Sequence, residues 1–175
     1  AKAHAHRALI SASLATSPSS ILISHSSKDI DATMDSLRAL GAIITYEQGV
    51  AHITPGPSPS IGQVLPHESG TTLRLLLPVS AAICDTVKVD AKGRLPERPL
   101  EPLLSEMKDH GVSFSQDTPP FTMTGRLQGG TFTMTGSVSS QFFSGLLLAA
   151  PHQGRTTMNC TSLLQSKDYV TLTIA

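Results

Sequence analysis

Glu68-Ser69-Gly70-Thr71-Thr72-Leu73-Arg74 is the stretch on which the fold of this chain turns. A serine and a glycine make a turn, two hydroxyl residues follow, and an apolar run continues to Ile83. The stretch therefore reads as the start of a buried helix, Thr72 to Ile83. Similar openings flank it. His6-Arg7-Ala8-Leu9-Ile10 begins one near the start of the chain, and Gly136-Ser137-Val138-Ser139-Ser140-Gln141-Phe142 begins another. The first two carry an arginine, Arg7 and Arg74. A helix N-terminus has free N–H groups, and a cation beside it completes an anion site. Three like openings can aim three helix N-termini at one place, which points to a polyanionic small molecule.

Working outward, each opening belongs to a longer unit. In the first, a short helix spans Arg7 to Ala15, Ile21-Leu22-Ile23 reads as a strand, and Ile30 to Leu40 is a helix closed by Gly41. A hairpin follows, Ala42 to Tyr46 and Val50 to Thr54, turning at Gln48-Gly49. In the second, Thr86 to Asp90 alternates as a strand, and Pro99 to His110 is a helix with Gly111 after it. Val112 to Ser115 and Phe121 to Thr124 are strands. In the third, Ser139 to Ala150 is a helix closed by Pro151, Thr156 to Thr161 a strand, and Tyr169 to Ala175 the start of a further helix. Pro55 to Ser60 is a surface loop. Thr72–Ile83 and Phe142–Ala150 are apolar nearly all round, which predicts helices inside and sheets outside. The reading is one α/β domain of three units, about 1–66, 67–134 and 135–175, the third truncated. Both chain ends read as cut from something longer.

Composition limits the function. The 175 residues carry 13 basic and 13 acidic side chains, so no general electrostatic footprint for nucleic acid exists. Aromatics at 4% give little for base stacking. No stretch approaches about 18 unbroken apolar residues, so no transmembrane helix is expected. Cys84 and Cys160 read as two buried thiols in a reducing compartment, and no Cys/His spacing suits zinc. His4 and His6 could bind a metal, but read rather as an exposed, partly protonated pair near a terminus.

Five groups could carry chemistry. Lys2 with Arg7 suits phosphate or carboxylate, although an isolated pair near a terminus is more often solvated. Ser69-Gly70-Thr71-Thr72 with Arg74 can admit a ligand to the backbone, or be a plain cap. Arg98 precedes Pro99, which suits a first helical turn, so a cation faces the positive end of a helix; pairing with Glu97 or Glu101 is the alternative. Ser139-Ser140-Gln141 places two hydroxyls and an amide ahead of an apolar helix. In Ser166-Lys167-Asp168-Tyr169 the tyrosine can pack on a ring while the lysine meets an anion. No P-loop, dinucleotide fingerprint or nucleophile–base pair is present.

Taken in order, these groups resemble one family. Lys2-(four residues)-Arg7-Ala8-Leu9, Asp29-Ile30, Leu40-Gly41, Ser69-Gly70-Thr71-Thr72-Leu73-Arg74, Glu97-Arg98-Pro99, Gly136 to Phe142 and Ser166-Lys167-Asp168-Tyr169 are similar to the shikimate-3-phosphate-binding domain of the 5-enolpyruvylshikimate-3-phosphate synthase family. The serine-serine-glutamine block and the arginine-proline motif are the most specific.

The resemblance implies two domains of βαβαββ units with buried helices, of which this chain is most of one. It implies transfer of the enolpyruvyl group of phosphoenolpyruvate to the 5-hydroxyl of shikimate 3-phosphate, by a cytoplasmic, monomeric enzyme without cofactor or metal. Arg7, Ser139, Ser140, Ser166 and Tyr169 match shikimate-phosphate contacts. Lys2, Gly70, Arg98 and Gln141 match the phosphoenolpyruvate side, Thr71 joins the substrate-binding set, and Lys2, Arg98 and Gln141 are the catalytic candidates. The second domain, absent here, is expected to supply most proton-transfer groups. Departures are Ala3 for the usual serine, Glu68 for a common asparagine, and Leu100-Glu101 where glycine is usual. The alternatives are an enolpyruvyl transferase acting on UDP-N-acetylglucosamine, whose family has asparagine after the lysine, and a non-catalytic anion-binding relative.

Overall fold

The computed structural model describes residues 1–175. Its helices are α1 (Lys2–Leu14), α2 (Lys28–Ala39), α3 (Gly70–Ile83), α4 (Leu103–Asp109), α5 (Ser140–Gln153) and α6 (Lys167–Ile174). Its strands are β1 (Ser19–Leu22), β2 (Ile43–Glu47), β3 (Val50–Thr54), β4 (Ile61–Val64), β5 (Thr86–Val89), β6 (Ser113–Phe114), β7 (Phe121–Thr124), β8 (Gly130–Met134) and β9 (Thr156–Cys160).

The strands form three sheets, β1-β3-β2, β4-β5-β7-β6 and β8-β9. Strands β4 and β5 run parallel, Ile61 opposite Thr86, and β8 and β9 run parallel, Gly130 opposite Thr156. The remaining pairs are antiparallel. The order β4-α3-β5-α4-β6-β7 is thus echoed by α1-β1-α2-β2-β3 and begun again by β8-α5-β9-α6.

Helices α3 and α5 fill the centre. Leu73, Leu75, Leu76, Leu77 and Val79 of α3, and Phe142, Leu146 and Ala149 of α5, have no exposure. Each sheet turns one face inward through alternate residues: Ala51 and Ile53 on β3, Val87 and Val89 on β5, Phe132 and Met134 on β8. Buried helices and outer sheets follow from helices that are apolar nearly all round. Gly41 and Gly111 end α2 and α4 with φ of 111° and 100°, and Gln48 and Gly49 turn the β2–β3 hairpin with φ of 50° and 78°. No helix is long and apolar enough to cross a membrane.

Several expectations are corrected. Helix α1 starts at Lys2 rather than Arg7, because Ala3, Ala5 and Ala8 favour helix and nothing before Arg7 breaks it. Helix α4 starts at Leu103 rather than Pro99. Pro102 keeps Glu101 out of helical backbone, and in a longer helix its ring would meet the carbonyl of Arg98. Arg98 therefore does not face a helix N-terminus; it follows a short 3-10 turn, Leu95–Glu97. Helix α5 passes through Pro151 and stops at Gly154, with φ of 94°. Cys84 is buried but Cys160 is exposed at the sheet edge. His6 is buried, 2% exposed, and only His4 of that pair is exposed.

Candidate functional site

Helices α3 and α5 carry equivalent caps. The Ser69 hydroxyl accepts from the Thr72 amide at 3.1 Å, and the Ser139 hydroxyl accepts from the Gln141 amide at 3.2 Å. Gly70 and Thr71 are then the first two helical residues of α3, Ser140 and Gln141 those of α5, and Lys2 and Ala3 those of α1. Thr71 and Gln141 meet: the Gln141 side-chain amide donates to Thr71 Oγ1 at 2.8 Å. The amides of Gly70, Thr71 and Ser140 find no acceptor within the protein, as expected at helix starts. Three helix N-termini therefore do converge.

Two joined clefts lie at this convergence. The first, about 250 Å³, is lined by Lys2, Ala3, Arg7, Asp29, Thr71 and Gln141, with His6 and Tyr169 at its sides. The second, about 230 Å³, is lined by Arg74, Ser139, Ser140, Gln141, Ser166 and Tyr169. Gln141 and Tyr169 belong to both, so the clefts form one groove. A larger cavity, about 530 Å³, lies on the other side of Lys2, between α1 and β1. Its wall is mostly apolar, with Ala5, Ala8, Ile21 and Ile23 beside Lys2, His4, Ser24 and His25, and it has neither an arginine nor the starts of α3 and α5, so the smaller clefts are the better anion site.

The electrostatics are one-sided. Arg7 is 7% exposed and has only neutral partners: Nε donates to Thr173 Oγ1 at 2.6 Å, Nη1 to the Ala3 carbonyl at 3.0 Å, and Nη2 to Ser144 Oγ at 3.0 Å. Its carbon Cζ stands 5.8 Å from the Tyr169 ring centre. Burial pushes the pKa of Arg7 below its ordinary value, and the Tyr169 charge opposes this. Arg74 donates to Gln141 Oε1 at 3.4 Å and to the Pro99 carbonyl at 3.3 Å. Burial first, and then the neighbouring charge of Arg98, lowers its pKa. Arg98 lies over Gly70, where a β-carbon would fall 2.8 Å from its Nη1. None of the three arginines makes an ion pair. The one carboxylate lining the clefts, Asp29, is 3.4 Å from Lys2 Nζ.

Of the residues singled out from sequence, Lys2, Arg7, Thr71, Ser139, Ser140, Gln141, Ser166 and Tyr169 line the joined clefts. Gly70 and Arg98 line neither cleft: Gly70 is buried under Arg98, and Arg98 is exposed and lines a separate pocket formed by its own loop. Neither Glu97 nor Glu101 pairs with it: Glu97 takes Arg94, and Glu101 accepts from Ser105. Ser166 has left-handed backbone, φ 53° and ψ 42°, a conformation costing on the order of 1 kcal/mol outside glycine. Glu68 lies against Gly93 and lines neither cleft. Nothing in the sequence motifs marks Ser144 and Thr173, which grip Arg7, and the motifs that contain His6 and Asp29 give these two residues of the first cleft no role at the site. A helix begun at Lys2 would have put Lys2 and His6, and Ala3 and Arg7, on one face by their four-residue spacing.

Comparison with known proteins bears on this arrangement. A family model described as EPSP synthase (3-phosphoshikimate 1-carboxyvinyltransferase) matches residues 1–175. A 3-phosphoshikimate 1-carboxyvinyltransferase of Methanoregula boonei is 40% identical over 183 residues, covering 98% of this chain and 43% of that protein. One of Clostridium kluyveri is 35% identical over 178 residues, covering 99% and 42%. Among solved structures, EPSP synthase from Acinetobacter baumannii superposes with a TM-score of 0.78 at 22% identity, covering 98% of this chain and 40% of that one. The enolpyruvyl transferase NikO from Streptomyces tendae gives a TM-score of 0.58 at 16% identity, covering 90% and 38%. These two likenesses concern the fold. The chain spans about two-fifths of the length of the curated relatives it matches. With the family model matched from end to end, the chain belongs to the EPSP synthase family.

Proposed function

We propose that this chain is the shikimate-3-phosphate-binding part of a 3-phosphoshikimate 1-carboxyvinyltransferase. The reaction moves the enolpyruvyl group of phosphoenolpyruvate to the 5-hydroxyl of shikimate 3-phosphate and releases phosphate, a step of aromatic amino-acid biosynthesis. One observation carries the reading. Arg7 and Arg74 line one groove with unbonded helix amides, Arg98 rests on Gly70 beside it, and none of the three has a carboxylate partner. A buried guanidinium without a counter-charge is costly for the fold alone and suits a ligand that brings the charge. Two phosphorylated substrates, one with a carboxylate as well, repel each other in a closed site unless cations are already fixed there.

In this reading Arg7, Ser139, Ser140, Ser166 and Tyr169 hold shikimate 3-phosphate, Lys2, Gly70, Thr71, Arg98 and Gln141 hold phosphoenolpyruvate, and Lys2, Arg98 and Gln141 touch the reacting groups. The chain is a domain of three βαβαββ-type units, the third incomplete. A second domain of the same polypeptide supplies the remaining acid–base groups, and the whole enzyme is a cytoplasmic monomer working without cofactor or metal. Titration calorimetry of the 175-residue chain tests the reading: shikimate 3-phosphate binds, UDP-N-acetylglucosamine does not, and phosphate release from phosphoenolpyruvate appears only with the full-length parent. Binding of the UDP-sugar instead, or turnover by the chain alone, overturns it.

A further inference from the structure

Beneath the groove, four buried polar side chains run in one line through three helices. His6 on α1 has its Nδ1 2.7 Å from Thr33 Oγ1 on α2. Thr33 Oγ1 lies 2.8 Å from Thr72 Oγ1 on α3, and Thr72 Oγ1 lies 2.8 Å from Ser69 Oγ and 3.2 Å from the Asp29 carbonyl. His6 is 2% exposed, Ser69 4%, and both threonines are fully enclosed. With the proton on Nδ1, the imidazole donates to Thr33, Thr33 to Thr72, and Thr72 to Ser69 or Asp29. With the proton on Nε2, the line reverses and the Asp29 carbonyl loses its hydroxyl partner.

Stability alone does not call for such a line. The space between the three helices could be filled by valine, which carries no polar group to satisfy. What hydroxyls add is direction: each donor and acceptor fixes where the next side chain must stand. The line ends on the cap of α3, directly before the free amides of Gly70 and Thr71, and on the carbonyl of the Asp29 that pairs with Lys2. It begins beside Arg7. It therefore joins the two sides of the groove through the interior.

We propose that Thr33, Thr72 and His6 are positioning residues, which hold the Gly70–Thr71 amides and the Asp29–Lys2 pair at a fixed spacing from Arg7. The assignment of Gly70 to the phosphoenolpyruvate side rests on the function proposed above. Thr33→Val and Thr72→Val break the line at different points, and Thr33→Ser and Thr72→Ser keep it. In the full-length parent, each valine variant is expected to raise KM for phosphoenolpyruvate about tenfold, to leave KM for shikimate 3-phosphate within about twofold, and to be rescued by serine. In the 175-residue chain, hydrogen exchange of the Thr72 amide is expected to quicken about tenfold while Leu76, mid-helix, is unchanged. Equal rises in both KM values, or protection lost evenly along α3, overturn the proposal, as does failure of both valine variants to fold. If the unmodified parent transfers no enolpyruvyl group, the functional reading fails, and the Thr72 and Leu76 amides still decide the positioning role.

Discussion

A β-carbon on Gly145 would fall 2.7 Å from the carbonyl oxygen of Arg74, so α5 passes α3 at a distance that only glycine allows. The same atom would come 2.8 Å from Cγ of Pro78, which offers no N–H to the Arg74 carbonyl four residues earlier. This close crossing is what lets the helices start side by side, with Gln141 bonded to Thr71. Gly145→Ala forces them apart. It is expected to cost roughly 1–3 kcal/mol, as overpacking of a filled core does, and to weaken shikimate 3-phosphate binding through the disturbed first turns. Urea unfolding and calorimetry check this; an unchanged midpoint would show that the helices yield without cost.

Arg7 separates binding from stability. It is enclosed, uncompensated, and held by Ser144 and Thr173, which also bond each other at 3.0 Å. Arg7→Met removes an unpaired charge and leaves the two hydroxyls satisfied by each other. The variant is expected to melt no lower than the native chain, and to bind shikimate 3-phosphate at least tenfold more weakly, about 1.4 kcal/mol or more. A lower melting temperature with unchanged affinity would instead mark Arg7 as structural.

The fold was legible because its deciding segments are extreme. A run such as Leu75 to Ala82, apolar but for Ser80, fits the centre of the domain, and Gly41, Gly49 and Gly111 mark ends that need positive φ. Less extreme segments misled. In β4 a glycine stands among four residues, so the sequence carries no clear strand pattern there; Gly62 is required because a β-carbon would come 2.7 Å from Leu40 and 2.9 Å from Cys84. The Pro99 helix start gave way to the stronger constraint of Pro102. The candidate site was visible as separate motifs, but its assembly was not. Thr71 and Gln141 are 70 residues apart, and Arg7 and Thr173 are 166 apart, so their bonds exist only through packing. His6 illustrates the same gap: its burial depends on hydroxyls that α2 and α3 bring from elsewhere.

That burial has a pH consequence. Enclosure pushes the His6 pKa down from 6.5 to about 4, with the Asp29 carboxylate pulling it partly back and the Arg7 and Lys2 charges adding to the fall. The unfolded chain takes up this proton near 6.5, the folded chain only near 4. Between those values the unfolded state binds more protons. The contribution is therefore whole above about pH 6.5 and is lost as pH falls toward 4, in total about 3 kcal/mol. Carboxylates add acid slopes of their own, so the informative quantity is the difference between the native chain and His6→Gln. Denaturant unfolding at several pH values is expected to show the two curves converging, or crossing in favour of the variant, on acidification. Parallel curves would mean that His6 is protonated in the folded state at the same pH as in the unfolded chain.

Arg98 stands apart from the enclosed cations. It is exposed, makes no ion pair, rests on Gly70, and lowers the pKa of Arg74 by its charge. Two guanidinium groups held together without an anion repel, so a bound phosphate or carboxylate between them relieves repulsion as well as gaining two donors. Removing Arg98 therefore acts on the ligand at the Gly70 end and leaves the Arg7, Ser140 and Ser166 end intact. In the full-length parent, Arg98→Ala is expected to raise KM for phosphoenolpyruvate by roughly 10–100-fold, as loss of a charged hydrogen-bonding partner does, with KM for shikimate 3-phosphate within about twofold. Arg98→Lys should recover only part of the loss, since an ammonium lacks the planar fork. Equal loss for both substrates would place Arg98 against shikimate 3-phosphate as well and would undo the division of the groove into two sides.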